Sequence, residues 1–246
     1  MTRIATILAC LALPFATLRG AEEPLLVFVL AGQSNMDGRA QVADLPADLK
    51  AEQAQVLVYA GGGTWKPLKP GGELFGPEVS FGATMAAALK KPVGIVKVAR
   101  CATNLAEQWN PATKGDYTRF ADQVKAAQKS RPVHVAGMLW MQGESDAKDP
   151  AMAEAYKKNL AALVAKARAD FQAPDMVFIA GRVNPPKRYP HAKAVRAALE
   201  DPGVPNYAWV DCDGLKKSDD LHYDAEGQVA LGRLFAAEAL RRLQKQ

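Results

Sequence analysis

The stretch Val27-Phe28-Val29-Leu30-Ala31-Gly32-Gln33-Ser34-Asn35-Met36 joins an apolar, β-branched run to a turn of small and polar residues. The run predicts a buried strand, and the residues after it predict a sharp turn that presents Ser34 at the carboxyl edge of a sheet. A serine hydroxyl in that place is a candidate nucleophile. The alternative is that Ser34 only caps a helix.

Five further apolar runs resemble the first, and helical patterns separate several of them. The predicted strands cover residues 25–30, 56–59, 93–98, 133–140, 176–179 and 208–211, and the predicted helices cover residues 81–89, 118–128, 151–171, 191–199 and 226–243. This alternation predicts an α/β fold, a three-layer α/β/α sandwich around a central, mostly parallel sheet. Turn residues predict surface loops at 61–63, 67–72 and 184–190.

The amino terminus predicts export. Residues 1–20 carry Arg3, an apolar stretch broken by Pro14, and the small residue Gly20, which is the pattern of a secretory signal peptide and is too short for a membrane span. We therefore expect a periplasmic or secreted protein, with residues 21–246 forming a single domain and no membrane span in the mature form. Lipoprotein processing at Cys10 is the alternative.

Charge and cysteine content exclude several classes of protein. The chain has 31 basic and 26 acidic residues, and the predicted cleavage removes Arg3 and Arg19, so the surplus of positive charge is too small and too scattered to predict a nucleic-acid partner. With three histidines and no Cys-x-x-Cys or His-x-x-x-His spacing, the sequence predicts no metal and no cofactor. Whether Cys101 and Cys212 pair stays open.

Polar residues follow four of the predicted strands. They are Ser34 after the first, residues 100–103 after the third, residues 142–146 after the fourth and residues 219–222 after the last. The carboxyl ends of parallel strands meet at one edge of a sheet, which is where open α/β sheets bind ligands. These segments therefore predict a single site.

The last of these segments, Asp219-Asp220-Leu221-His222, completes a Ser-His-Asp arrangement. An imidazole can take the proton of a serine hydroxyl, and a carboxylate can fix the tautomer of that imidazole. Asp220 and Asp224 are alternative carboxylates for His222. His134 and His191 do not follow the carboxyl end of a strand, so we expect them to be structural or solvated.

Four motifs in this order resemble the SGNH (GDSL-like) hydrolases, and specifically the carbohydrate esterase branch with sialate O-acetylesterases and acetylxylan esterases. The motifs are Gly32-Gln33-Ser34-Asn35-Met36, Gly76-Pro77-Glu78 followed by Phe81-Gly82, Trp140-Met141-Gln142-Gly143-Glu144-Ser145-Asp146, and Asp219-Asp220-Leu221-His222. Each alone is weak, but all four in order are specific. The resemblance implies a flavodoxin-like SGNH hydrolase fold.

The resemblance also implies roles for individual residues. Ser34 would be the nucleophile, His222 the general base and then acid, and Asp219 the group that orients His222. The oxyanion donors would be the N–H of Ser34, an N–H at Cys101 or Ala102, and the side-chain amide of Gln142. Relatives usually carry Gly-Gly-Thr where this chain has Cys101-Ala102-Thr103, so a Cβ there could shift the loop if φ is positive. The alternative for Gln142 is an amide that satisfies a buried backbone group.

Other residues are expected to support the site or to bind substrate. We expect the support to come from the neighbours of Ser34 and from three carboxylates, namely Gln33, Asn35, Glu78, Glu144 and Asp146. Trp65 and Trp109 are candidates for stacking on sugar rings, and partly buried anchoring is the alternative. Arg100 could bind an acidic sugar or form a surface salt bridge.

Together these features predict a serine esterase that removes O-acetyl groups from carbohydrates through an acyl-enzyme intermediate, with an acetylated carbohydrate as its partner. A carbohydrate-binding pseudoenzyme is one alternative, because Cys101-Ala102 replaces the usual glycines. A lipase or thioesterase on the same scaffold is another, which a long apolar acyl channel would support.

Overall fold

The computed structural model describes residues 23–245, so the predicted signal peptide lies outside the described residues. Seven strands form one sheet, and two short strands form another. The strands are β1 (Leu25–Gly32), β2 (Ala40–Gln41), β3 (Gln53–Gly61), β4 (Thr64–Leu68), β5 (Leu74–Phe75), β6 (Val93–Ala99), β7 (Val133–Met141), β8 (Val177–Arg182) and β9 (Tyr207–Asp211). The large sheet has the order β4-β3-β6-β1-β7-β8-β9, and β2 pairs with β5.

Helices cover both faces of the sheet. They are α1 (Ser34–Asp37), α2 (Ala47–Lys50), α3 (Glu78–Leu89), α4 (Asp116–Ser130), α5 (Pro150–Asp170), α6 (Ala192–Glu200) and α7 (Ala225–Leu243). Helix α3 packs on α7, while α5 packs on both α4 and α6. The chain is thus the predicted α/β/α sandwich, and the fold-class prediction is confirmed. Within residues 23–245, no helix is both long and apolar enough to cross a membrane.

The main departure from the predicted elements is β4, which pairs antiparallel with β3 at the edge of the sheet. Positive φ angles at Gly61, Gly62 and Gly63 form the tight turn between the two strands. The predicted loop at 67–72 is therefore wrong for Pro67 and Leu68, which belong to β4. An edge strand tolerates a proline because one side of it needs no hydrogen-bond donor.

The aromatic core holds the central strands against the helices. Trp109 packs edge-on against Trp140 of β7 with ring centroids 5.3 Å apart, and it also contacts Phe120 of α4. Phe28 of β1 meets Phe81 of α3 at 5.1 Å. Each fully buried aromatic side chain contributes about 2 to 3 kcal/mol of hydrophobic stabilisation.

Strand β1 lies at the point where the strand order changes direction. It pairs in parallel with both β6 and β7, and β3 lies beyond β6 whereas β8 and β9 lie beyond β7. In open α/β sheets a crevice forms at the carboxyl ends of the strands at such a switch point. The fold therefore places the turn after β1, with Ser34, at the centre of that crevice.

Candidate active site

Ser34 is the first residue of α1, and its turn is held against the end of β7. The N–H of Gln33 donates to the carbonyl of Met141 at 2.9 Å. Gly32 permits this close approach, because its φ is +148° and a Cβ there would lie 2.1 Å from the carbonyl oxygen of Met141. The Ser34 side chain faces a cleft although the residue is only 4% exposed.

His222 reaches Ser34 from a loop between β9 and α7. A bridge between Lys217 and Tyr223 closes the loop, and the N–H of Ser218 donates to the carbonyl of His222 at 2.9 Å. The Nε2 atom of His222 lies 3.1 Å from the Oγ atom of Ser34. This geometry allows the imidazole to accept the serine proton.

Asp219 uses its two carboxylate oxygens for two tasks. Oδ1 accepts hydrogen bonds from the N–H groups of Leu221 at 2.7 Å and His222 at 2.6 Å, which fixes the turn. Oδ2 lies 2.8 Å from Nδ1 of His222. The three-residue spacing therefore lets one carboxylate shape the loop and orient the imidazole.

These contacts keep Asp219 ionised. Burial alone would raise its pKa, but the hydrogen bonds from the His222 ring and from the N–H groups of His222 and Leu221 lower the pKa to about 2. Among the alternative carboxylates, Asp220 pairs with Arg188 and Asp224 accepts a hydrogen bond from Gly227 at the start of α7. The structure thus brings Asp219, and neither alternative, to the His222 ring.

The loop after β6 runs beside the Ser34 turn. The N–H of Arg100 donates to the carbonyl of Gly32 at 3.1 Å, which places Cys101 and Ala102 next to that turn. Both residues line the cleft. Within residues 23–245, no acceptor pairs with the N–H groups of Ser34, Cys101 or Ala102. Unpaired donors beside a nucleophile are what an oxyanion requires.

Ala102 has a φ of +58°, in the left-handed region that favours glycine. The Cβ of an L-residue costs about 1 to 2 kcal/mol there. The sequence analysis expected that a Cβ could shift this loop if φ is positive, and φ is indeed positive at Ala102. The loop nevertheless adopts the left-handed conformation with alanine at this position.

We expect Ala102→Gly to raise the free energy of unfolding by about 0.5 to 1 kcal/mol, because relief of the strain exceeds the entropy that glycine adds to the unfolded chain. Urea unfolding would measure the change. The matched control is Ala112→Gly, since Ala112 lies in a surface loop and is absent from the residues with positive φ. The control variant should have a lower free energy of unfolding than the wild type. An equal decrease in both variants would contradict backbone strain at Ala102.

The side chain of Gln142 lies behind the cleft. Its Nε2 donates to the carbonyl of Thr103 at 2.9 Å and to Asp146 at 2.6 Å, and the residue is fully buried. Tyr156 donates to the carbonyl of Gln142 at 2.7 Å. Both amide protons are therefore engaged, as expected of an amide that satisfies a buried backbone group. Donation to an oxyanion would require one of these bonds to be exchanged.

The residues expected to support the site hold its segments together. Asp146 accepts hydrogen bonds from the N–H groups of Leu105 and Ala106, which fixes the loop after β6. Ser145 donates to Gln33 at 3.2 Å, and Asn35 donates to Glu144 at 3.2 Å. Glu78 lies outside the cleft, where it forms a 2.5 Å ion pair with Lys97.

The three substrate-binding candidates lie away from the cleft. Trp109 is fully buried and donates to Thr103, so its prediction as a stacking platform is wrong. Trp65 lies in β4 and donates to Ser130, which precedes the amino end of β7. Arg100 forms a 2.7 Å salt bridge with Asp116, as its alternative interpretation predicts. None of the three lines the cleft.

The cleft has a volume of about 420 Å³. It is lined by Gln33, Ser34, Arg39, Cys101, Ala102, Glu144, Ser145, Lys148, Tyr189, Ser218, Asp219, Leu221 and His222. Sequence reasoning missed Arg39, Lys148, Tyr189 and Ser218. Their only signal was proximity to the motifs, since Arg39 follows Ser34 by five residues and Tyr189 belongs to a predicted surface loop.

The two described cysteines are free thiols. Burial raises the pKa of the Cys101 thiol despite its contact with Arg39, and burial raises the pKa of Cys212 to about 12. A protonated thiol is a weak nucleophile. Ser34 is therefore the better candidate in this cleft, although Cys101 also lines it.

Comparison with known proteins also points to an esterase. A family model described as carbohydrate esterase, sialic acid-specific acetylesterase matches residues 24–241. A probable carbohydrate esterase of Arabidopsis thaliana is 28% identical over an aligned length of 243, and the match covers 87% of this chain and 89% of that protein.

Solved structures share the fold. An Arabidopsis thaliana protein is 26% identical with a TM-score of 0.80, and the match covers 89% of this chain and 99% of that one. NanS is 14% identical with a TM-score of 0.77, over 92% of this chain and 99% of NanS. A carbohydrate acetylesterase from Xanthomonas citri is 19% identical with a TM-score of 0.68, over 89% of this chain and 57% of that one. The last two likenesses concern the fold alone.

Proposed function

The chain belongs to the sialic acid-specific acetylesterase family of carbohydrate esterases, and from this premise we propose that it removes O-acetyl groups from carbohydrates through an acetyl-Ser34 intermediate. The observation that carries the proposal is the hydrogen-bonded chain from Ser34 through His222 to Asp219 in the cleft wall. That chain has the connectivity by which a weak hydroxyl nucleophile is activated.

In the first half-reaction, Nε2 of His222 accepts the proton of Ser34 while Oγ attacks the carbonyl carbon of the acetyl group. The ester bond to the sugar then breaks, and His222 donates the proton to the departing sugar oxygen. In the second half-reaction, His222 takes a proton from water, and the resulting hydroxide attacks acetyl-Ser34. Acetate leaves, and the proton returns to Ser34.

The oxyanion of each tetrahedral intermediate would face the N–H groups of Ser34, Cys101 and Ala102. These groups have no acceptor among residues 23–245, so they are available without breaking an existing bond. One such donor is typically worth about 3 to 4 kcal/mol of transition-state stabilisation. We assign Gln142 a supporting role, because its amide already holds Thr103 and Asp146 in place.

The test is acetate release from acetylated sialic acid, acetylated xylan and p-nitrophenyl acetate, combined with mass spectrometry of the protein quenched during turnover. We expect release and one added acetyl group on the peptide that contains Ser34. Saturable glycan binding without acetate release would instead favour the pseudoenzyme. A preference for long acyl chains would favour the lipase, against which the many polar and charged groups in the cleft argue.

We further propose that Arg39 and Lys148 favour an acidic sugar, since both are exposed basic residues that line the cleft. A charge-assisted hydrogen bond is worth about 1.5 to 3 kcal/mol. We therefore expect Arg39→Met and Lys148→Met each to lower kcat/KM for acetylated sialic acid by at least about 10-fold and to change kcat/KM for p-nitrophenyl acetate by less than about 3-fold.

The matched control is Lys158→Met, which removes the same charge from the exposed surface of α5. It should leave kcat/KM unchanged for both substrates. Equal losses for the charged and the neutral substrate would contradict the preference for an acidic sugar.

Residues 1–20 are proposed as a cleaved signal peptide that directs export of a single domain formed by residues 21–246. Amino-terminal sequencing of the protein recovered outside the cytoplasm would test this, and an intact Met1 would contradict it.

A further inference from the structure

Asn35, the residue after the nucleophile, contacts the His222 loop on both sides of the imidazole. Its Nδ2 donates to the carbonyl of Leu221 at 3.2 Å, and its Oδ1 accepts from the N–H of Tyr223 at 3.1 Å. Leu221 and Tyr223 are the two chain neighbours of His222. One side chain thus holds the backbone immediately before and after the imidazole.

The same side chain is anchored from behind. Its Nδ2 also donates to Oε1 of Glu144 at 3.2 Å, and the carbonyl of Asn35 accepts a hydrogen bond from Gln228 of α7 at 3.3 Å. Asn35 is 1% exposed and Glu144 is 2% exposed. Both amide protons of Asn35 are engaged, so its orientation is fixed.

These contacts are the main link between two distant parts of the chain. Ser34 and His222 are separated by 188 residues, and their own hydrogen bond is 3.1 Å long. Apart from that bond, the hydrogen bonds that join residues 34–35 to residues 218–224 in the described part of the chain are the two made by the Asn35 side chain. Asn35 therefore supplies the direct polar contacts between the two segments other than the Ser34–His222 bond itself.

We propose that Asn35 is a positioning residue that holds the His222 loop in register with the Ser34 turn, with Glu144 as its anchor. The inference rests on the proposed function, because alignment of Ser34 with His222 matters for acyl transfer. A displacement of about 1 Å between reacting groups can cost on the order of 100-fold in rate. Substrate contacts outside the loop need not change when the loop shifts.

Glu144 suits the anchoring role as an acceptor. Burial raises its pKa, even though its hydrogen bond from Asn35 and the nearby His222 and Lys217 act in the opposite direction. Since the bond to Asn35 needs only an acceptor oxygen, glutamine can replace glutamate there and alanine cannot. The anchor thus offers a conservative variant that separates loss of the contact from loss of the charge.

The test compares Asn35→Ala with the wild type in steady-state kinetics, in the rate of phosphonylation of Ser34 by an organophosphonate, and in a crystal structure. We expect kcat and the phosphonylation rate to fall by about 100-fold, with KM changed by less than about 3-fold. The crystal structure should show Ser34 Oγ and His222 Nε2 beyond hydrogen-bonding distance. Glu144→Ala should lower kcat by about 10-fold, and Glu144→Gln should recover most of that loss.

A matched control separates positioning from stability. Gln128→Ala removes a 2.8 Å hydrogen bond from a side-chain amide to the carbonyl of Phe171, away from the cleft. It should lower the melting temperature without changing kcat. If Asn35→Ala fails to fold, Asn35→Ser gives the second variant, since it keeps a polar atom in the buried position but is too short to reach Leu221 and Tyr223.

The outcomes are distinguishable. If the wild type releases no acetate, the proposed function fails, and the crystal structure of the Asn35 variant still decides the positioning role. Wild-type kcat or an unchanged 3.1 Å contact between Ser34 and His222 in the variant would overturn that role. An equal kcat in Glu144→Ala and Glu144→Gln would overturn the role of Glu144 as anchor.

Discussion

Ser34→Ala is expected to lower kcat for acetate release by about 10⁵- to 10⁶-fold, because His222 and the oxyanion donors then have no nucleophile to act with. The fold should tolerate the change, since Ser34 is small and its side chain makes a single hydrogen bond within residues 23–245, to His222. Acetate release from acetylated sugars, measured beside the melting temperature, tests both statements. The added acetyl group should also be missing from the variant quenched during turnover.

The matched control for this prediction is Ser145→Ala, a second serine of the same cleft. Ser145 donates to the side-chain oxygen of Gln33 at 3.2 Å and makes no contact with His222. We expect the kcat of that variant to stay within about 10-fold of the wild-type kcat, which is the range that the loss of one hydrogen bond explains. Comparable losses in both serine variants would contradict Ser34 as the nucleophile, as would turnover by Ser34→Ala at the wild-type rate.

The sequence predicts the sheet well because its central strands are buried on both faces. A run such as Val27-Phe28-Val29-Leu30 is apolar throughout and belongs to β1, which β6 and β7 flank. The edge strand β4 lacked that signal. Its Pro67 and the preceding glycines indicate a loop, and only the antiparallel pairing with the neighbouring strand β3 turns the segment into a strand.

The candidate site divides in the same way. Ser34, Asp219 and His222 belong to the motifs on which the family resemblance rests, and the structure places their side chains within hydrogen-bonding distance of one another. Trp109 carries no such constraint, because a tryptophan in an irregular segment can stack on a sugar or fill the core, and only the tertiary contact with Trp140 decides. Arg39 illustrates the opposite case, since a solvated arginine and a cleft arginine look the same in sequence.

The second large effect is expected for Asp219→Asn, which should lower kcat by about 10⁴-fold with little change in KM. Asparagine can still accept hydrogen bonds from Leu221 and His222 through its oxygen. Its amide nitrogen then faces Nδ1 of His222 and donates to it, so the imidazole carries its proton on Nε2. In that tautomer His222 cannot accept the proton of Ser34.

The matched control is Asp220→Asn, which neutralises the next carboxylate in the chain. Asp220 pairs with Arg188 and makes no contact with the imidazole, so we expect kcat within about 3-fold of the wild type. Steady-state kinetics on one acetylated sugar compares the two variants. A loss in Asp220→Asn as large as in Asp219→Asn would show that net charge in the loop, rather than the tautomer of His222, determines the rate.

The same substitution should also remove a pH dependence of stability. The pKa of Asp219 is lowered to about 2 from its usual 3.8, so the carboxylate stabilises the folded state above pH about 4. That contribution is lost as the pH falls through 4 toward 2, because the unfolded chain binds the proton first. Urea unfolding at pH 6 and pH 3 should therefore show the wild type losing more stability than Asp219→Asn, whereas Ser34→Ala, which keeps the carboxylate, should follow the wild type. Parallel losses in the wild type and Asp219→Asn would mean that His222 and the loop N–H groups do not favour the ionised carboxylate.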